Sequence, residues 1–279
     1  MRAIRLPQLQ NVGPNQRVSL SLPLGVVYEK FYLQLGTNIL TSLISNLVLR
    51  INNKEFQRWA TAADFMSGLL AFKGNYTGST AFLVLDFTER LAREEVGMKL
   101  GAVAACQEDG VQSFTLEFDL GNYVVAAGST ITGWADVDVP SANRVLQRVQ
   151  YSQKVVAAAA QEQIYVPFGA NGYQLKRLIL KHANLTSVRV RRDGVDIYED
   201  LGVAFANQRL QDFGRVPQPG YHVIDFMPDV LQSNAFNTGM ILGADGKATP
   251  VSNLDIRLTT SAADTVTVYA ESYSSNAQL

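Results

Sequence analysis

The stretch from Gly220 to Gln232, GYHVIDFMPDVLQ, sets two carboxylates, Asp225 and Asp229, a few residues from a histidine, His222. Such groups do acid–base work when they converge on one cleft, and carboxylates about 5 to 10 Å apart across it can cleave glycosidic bonds. A second stretch, Thr80 to Leu91, TAFLVLDFTERL, aligns so that Asp86 and Phe87 fall on Asp225 and Phe226. Whatever Asp225 does, Asp86 is expected to do in parallel. An acid closing a strand just before a phenylalanine reads as an Asx-turn acceptor or a helix-start cap, so Asp86 and Asp225 are assigned a structural strand-end role. Asp229, between Pro228 and the polar run QSNAFNTG, reads as loop capping. His222 sits in an alternating strand beside Tyr221 and is expected at a surface or interface, not as a base.

Other chemistries fare no better. Asp136 and Asp138 are two apart on a strand and share a face, which makes them weak calcium candidates together with a neighbouring chain; the simpler reading is a solvated strand end before Pro140. Two histidines, His182 and His222, cannot supply a three-histidine metal set. Cys106 lies in LGAVAAC with no histidine near it and reads as buried packing. No glycine-rich phosphate loop is present. Arg189, Arg191 and Arg192 share one strand, and without interleaved aromatics they read as a solvated or interface face, not a nucleic-acid site. No catalytic residue and no cofactor are assigned.

The elements that would position these residues follow from the whole chain. Its 279 residues fit one large or two medium domains. Only 18% are charged against 47% hydrophobic, which suggests that partners cover much of the surface. A net charge of −1, from 24 basic and 25 acidic residues, excludes a global electrostatic footprint for nucleic acid. One cysteine excludes an intrachain disulfide framework and fits a reducing compartment. The opening MRAIRLPQLQNV has no apolar core of the kind a secretory signal needs, and no window of ~18 residues is apolar and uncharged throughout. From Met1 to Tyr28 there are three arginines, Arg2, Arg5 and Arg17, and no acid. That segregated charge suits the anionic surface of a lipid layer.

The chain is written twice. Pro23 and Gly25 fall on Pro167 and Gly169, 144 residues on; Asn52–Asn53 fall on Asp193–Gly194, 141 on; Thr130 to Ala135 fall on Thr265 to Ala270, 135 on. Asn-Asn and Asp-Gly tolerate positive φ and predict tight hairpin turns. Phe65, Leu69 and Phe72 match Ala206, Leu210 and Phe213, an i, i+4, i+7 spacing that predicts one short amphipathic helix per half, with Thr61 and Asp64 at the cap of the first. Short alternating strands fill the rest. This predicts an all-β protein of two tandem eight-stranded jelly rolls with short helices in loops. The expected division is an N-terminal arm over 1–14, a first jelly roll over 15–140, a linker over 141–163 and a second jelly roll over 164–279.

LPLGVVYE at Leu22 to Glu29, DFMPDVLQS at Asp225 to Ser233 and TVTVYAESY near the end resemble the double jelly-roll major capsid proteins of internal-membrane icosahedral phages, most closely the corticovirus type in the adenovirus-like lineage. The resemblance implies a structural virion protein and no enzyme. It implies trimers whose six barrels make a pseudo-hexameric tile, contacts with neighbouring trimers and with other capsid or vertex proteins, and a base next to the internal lipid membrane, where Arg2, Arg5 and Arg17 would face. It also implies a virion location with assembly in the host cytoplasm. Two other classes compete: a bicupin would need a histidine-rich metal site, and a carbohydrate-binding module would need exposed aromatics at Trp59, Trp134 or the tyrosines.

Overall fold

A computed structural model describes residues 2–75, 81–92, 94–140, 145–243 and 246–274. Thr80, Ala244 and positions 141–144 at the head of the expected linker lie outside the described residues. The chain divides into two compact units, Met1–Gln150 with Ser274–Leu279, and Tyr151–Tyr273.

The first unit contains β1 (Arg2–Arg5), β2 (Arg17–Ser21), β3 (Val26–Leu35), β4 (Ile44–Ile51), β5 (Lys54–Thr61), β6 (Phe82–Asp86), the short β7 (Val103–Ala105), β8 (Phe114–Leu120) and β9 (Ile131–Asp138). One sheet runs β1-β9-β3-β6 with β7 on β3, and the other runs β2-β8-β4-β5. β8 and β9 show why two layers form: every second residue is buried, so Phe114, Leu116, Phe118 and Leu120 turn inward and Thr115, Glu117 and Asp119 turn outward. The core is aromatic, with Phe31 packed edge-on against Phe87 at 5.5 Å and Phe56 tilted on Phe114 at 6.0 Å. Burying one such ring contributes roughly 1.5–3 kcal/mol. Residues expected to belong to an arm begin as a strand: Arg2 to Arg5 pair antiparallel with Val137 to Trp134.

The boundary between the units falls inside β10 (Leu146–Val156). Tyr151–Val156 opens the second unit, followed by β11 (Gln161–Ile164), β12 (Gln174–Lys181), β13 (Leu185–Arg192), β14 (Val195–Gly202) and β15 (Tyr221–Asp225). The minor strands β16 (Phe236–Asn237), β17 (Met240–Leu242) and β18 (Ala248–Pro250) precede β19 (Leu254–Thr260) and β20 (Asp264–Ser274). Its sheets run β10-β20-β12-β15 and β11-β19-β13-β14. Numbered one to eight within a unit, the major strands of both read 1-8-3-6 and 2-7-4-5. That is one eight-stranded jelly roll, twice. The segment expected as linker carries β10 and most of β11.

The paired turn signals act as expected. Asn52 and Asn53 adopt φ of 52° and 63°, and Asp193 and Gly194 adopt 48° and 83°. Each first residue also ties a loop distant in sequence, the one before β8 or β19: Asn52 Oδ1 accepts the N–H groups of Gln112 and Ser113, and Asp193 Oδ1 those of Ser252 and Asn253. The helical segments differ between units. Thr61 Oγ1 accepts the Asp64 N–H at 3.1 Å and opens a segment of π character, Asp64–Ala71, whose Phe65 and Leu69 are buried with Phe72. Later in this unit, α1 (Glu95–Lys99) is a single turn. In the second unit α2 (Val203–Asp212) buries Ala206 and Leu210, but Phe213, the third member of the expected stripe, is 43% exposed.

Gly36 shows how closely loops pack at the end of β3. A Cβ there would lie 2.1 Å from the Gly128 carbonyl oxygen and 2.4 Å from that of Thr130, both backbone. Gly36→Ala is expected to destabilise the first unit by roughly 1–3 kcal/mol, read as a lower midpoint in urea unfolding.

Candidate functional site

Asp86 and Asp225 close β6 and β15, and each faces a buried base at the centre of a neighbouring strand. Lys30 on β3 is directly opposite Asp86 on one side and Asp136 on the other. Arg177 on β12 is directly opposite Asp225 and Glu271. Both units therefore run acid, base, acid across three adjacent strands. Lys30 Nζ is 3.1 Å from Asp86 Oδ2; Arg177 donates to Asp225 Oδ2 at 2.9 Å and to Glu271 Oε2 at 3.1 Å. A β-bulge accompanies each base: the pairing skips Glu29 just before Lys30 and Lys176 just before Arg177. A bulge sets two residues against one partner residue and re-aims the side chains around it, which lets a strand carry two successive charges into the interior.

The second carboxylate oxygen makes the turn expected from sequence. Asp86 Oδ1 accepts the Thr88 N–H at 2.9 Å and its hydroxyl at 2.6 Å, and Asp225 Oδ1 accepts the Met227 N–H at 3.0 Å. A third component enters from beyond the helical segment. Lys73 Nζ donates to the carbonyls of Asp86 and Thr88, and Arg215 lies 3.2 Å from Asp225 Oδ2 while donating to the Met227 carbonyl. These groups are almost wholly buried: Lys73, Arg177, Arg215 and Glu271 are at most 2% exposed. With a cation on one oxygen and a backbone N–H on the other, neither aspartate is placed to act as nucleophile or general acid.

Lys30, Lys73, Arg177, Arg215 and Glu271 were missed in the sequence. The available signal was a charged pair inside an apolar strand, EK in VVYEKFYLQL and KR in QLKRLILK. Aligning Pro23 on Pro167 places Lys30 on Gln174; the Gly169–Asn171 turn adds three residues, and the true counterpart is Arg177.

The rest of the opening stretch does not join this network. Asp229 accepts the side-chain amide of Asn234 at 2.8 Å and so caps its own loop. His222 corrects the expectation of a surface or interface residue, because it is fully buried. It is directly opposite Leu180 and two residues from Ile224, both in the apolar core, while its neighbours Val223 and Asp225 line the other face beside Ala206, Arg209 and Leu210 of α2. A strand covered on both faces has no exposed position. Neither His222 ring nitrogen has a hydrogen-bond partner among the described residues, and burial, with His182 nearby, lowers its pKa to about 4.

The remaining candidates have local partners. Asp136 accepts the Tyr32 hydroxyl at 2.9 Å, and burial followed by that bond pushes the phenol up to about 12. Lys99 bonds Asp138, which with the Val139 N–H holds that carboxyl down at about 2. Among the described residues no three His, Cys, Asp or Glu side chains are grouped to hold a metal. Arg17 pairs with Glu117 and Asp119, each at 2.8 Å, whereas Arg2 and Arg5 are exposed and form no ion pair among the described residues. Arg189 meets Asp255 at 3.8 Å, Arg191 meets Asp196 at 3.6 Å, and Arg192 stacks 4.8 Å over Phe236. Cys106 is buried in a small cluster with Val27, Ala102 and Ala104, and Trp59 is buried against Phe65.

Two jelly rolls of one strand order in a single chain, each braced by an internal ion row, define a protein of the tandem jelly-roll class whose candidate acids are spent on structure. Family models for the viral coat protein P2 match it, the N-terminal domain over residues 3–138 and the C-terminal domain over 146–276. The chain belongs to the viral coat protein P2 family: it is a capsid protein and not an enzyme. The fold is similar to the crystal structure of the major capsid protein P2 from bacteriophage PM2, with a TM-score of 0.82 and 17% identity over 98% of each chain. The STIV major capsid protein gives 0.66 at 11% identity, covering 97% of this chain and 95% of that one, and the PBCV-1 virus capsid protein gives 0.62 at 12%, covering 98% and 92%. A search of curated proteins returned no match.

Two expectations follow from this geometry. Asp225→Ala leaves Arg177 and Arg215 buried with one acid fewer, and is expected to cost about 3–5 kcal/mol, seen as loss of the second unit's protection in hydrogen exchange. Unchanged protection would mean that water or another group satisfies both guanidinium groups. The second concerns acid. An unfolded histidine titrates near ~6.5, above the folded value of His222, so the unfolded chain binds the extra proton first. Stability is therefore full above pH ~6.5 and falls as pH drops towards about 4, by on the order of 3 kcal/mol from this residue. His222→Leu should flatten that slope in urea midpoints measured at several pH values.

Proposed function

We propose that the working form is a trimer whose six jelly rolls make a pseudo-hexameric tile, and that such tiles close an icosahedral shell over an internal membrane. The carrying observation is the identical strand order of the two units in a coat-family chain. A three-fold assembly of a doubled module presents six similar outlines, which suits a six-fold lattice position although only three chains are present. The same reasoning calls for a different protein at five-fold vertices, because six modules do not fit there. Assembly in the host cytoplasm fits a chain whose single cysteine is buried.

Of Arg2, Arg5 and Arg17, the arginines of the membrane-facing reading, two are exposed without an ion pair among the described residues and one is paired. Arg17 is neutralised by Glu117 and Asp119, which leaves Arg2 and Arg5 as the charges that either lipid or a neighbouring copy would meet. In this reading Asp136 and Asp138 serve the strand row and its end, with Tyr32 and Lys99, and calcium is not required. A bicupin is disfavoured by a His222 enclosed in an apolar core; of the aromatics a carbohydrate-binding module would expose, Trp59 is buried and Tyr165 is 72% exposed.

Native mass spectrometry of the purified chain is expected to show a species of about 92 kDa, three times 30.6 kDa. Electron microscopy of that species should show a six-lobed outline, and a stable dimer with two-fold symmetry would overturn the reading.

A further inference from the structure

Two of the strands that end a sheet, one in each unit, carry opposite charge. β14 ends the sheet β11-β19-β13-β14, and no strand among the described residues pairs with its outer side. Its sequence, VDIYEDLG, has three acids and no base, and its Val195 and Ile197 are 62% and 39% exposed. β1 ends the sheet β1-β9-β3-β6, and its sequence, RAIR, has two bases and no acid. An uncovered edge with exposed apolar side chains is a template for pairing with another chain unless something covers it.

The duplication shows what kind of strand covers such an edge. In the first unit the counterpart of β14 is β5, the fifth strand of the order, and β5 is covered. Val149 pairs with Gln57 in parallel, and Gln57 Nε2 donates to the Gln147 carbonyl at 3.1 Å. The result is that Gln57 is 1% exposed. Gln147 and Val149 belong to β10, which takes first place in the second unit's order, as β1 does in the first unit's. A first-place strand therefore covers a fifth-place edge. The chain's other first-place strand is β1 and its other fifth-place edge is β14.

We propose that β14 of one copy receives β1 of a second copy, in the parallel sense of the Val149 pairing, with Arg2 and Arg5 set against Asp196 and Glu199. This rests on the self-assembly reading above and names its contact surface. Neither Arg2 nor Arg5 has an ion-pair partner among the described residues, nor does Glu199, and Asp196 is held only by exposed Arg191. The contact joins two different patches, so each copy gives β1 on one side and receives on the other. Such a heterologous contact closes into a ring when the rotation between copies divides a full turn, and a third of a turn gives the trimer.

The test uses the full chain in three forms, Arg2→Glu with Arg5→Glu, Asp196→Arg with Glu199→Arg, and all four together. Native mass and sedimentation are read across concentration, with urea unfolding of each form alongside. Each pair alone should raise the concentration needed for trimer by at least about tenfold, and the four together should return it to within about threefold of the parent. If a reversed pair fails to fold, Arg2→Gln with Arg5→Gln and Asp196→Asn with Glu199→Gln replace it, each expected to weaken the trimer. Trimers indifferent to every form would overturn this contact while leaving the trimer standing; a parent chain that never forms trimers would overturn the reading beneath it. Vesicles containing phosphatidylserine provide the last arm: loss of vesicle binding by the arginine variants with unchanged trimerisation would give these side chains to lipid and overturn the proposal.

Discussion

The structure depends on placing a base in the middle of a strand with apolar faces on both sides. Lys30 and Arg177 could not be buried alone, since an uncompensated charge in a protein interior costs several kcal/mol. Each is matched by acids on both flanking strands, Asp86 with Asp136 and Asp225 with Glu271, and that requirement fixes the strand register to the residue. A slip of one position would bury the base against apolar groups. The row then extends outward. The strand-end aspartate uses its other oxygen to form the turn after the sixth strand, and a cation from beyond the helical segment, Lys73 or Arg215, ties that turn to the helix. Sheet register, turn and helix placement are coupled through one acid.

Duplication preserved the plan while changing its parts. The row holds a lysine in one unit and an arginine in the other, the last strand an aspartate or a glutamate, and the bulged residues, Glu29 and Lys176, have opposite sign. The bulged residues also find different partners: Lys176 joins Glu271 within the row at 3.3 Å, whereas Glu29 meets Lys99 at 3.5 Å. The helical segment diverged most. Its first version is buried on nearly every side, and its second keeps Ala206 and Leu210 inward but exposes Phe205 at 61%.

Much of this was legible in the sequence because it is local. Asn52–Asn53 and Asp193–Gly194 announced two hairpins through residues that accept positive φ, and Asp86 and Asp225 announced turn acceptors by where they end a strand. The repeat itself identified two modules of one kind. What stayed hidden was non-local. Nothing near His222 in the chain states that α2 covers one face of its strand and the core the other. Nothing near Lys30 names its partners, because the bulge and a longer turn shift the two halves out of the alignment that proline and glycine suggest. Arg2 to Arg5 looked like an arm because four residues are too few to read as a strand without the partner, β9, that makes them one.

That last pairing has a bearing on time. β1 leaves the ribosome well before its partners, because the residues it pairs with, Trp134 to Val137, follow some 130 positions later. At translation rates of about 5–20 residues per second, β1 waits roughly ten seconds for its place. The hairpins β4–β5 and β13–β14 close on neighbours and need no such delay. A nascent subunit is thus unfinished along β1 until the whole first module has been made, so that edge matures late and incomplete chains carry it unformed.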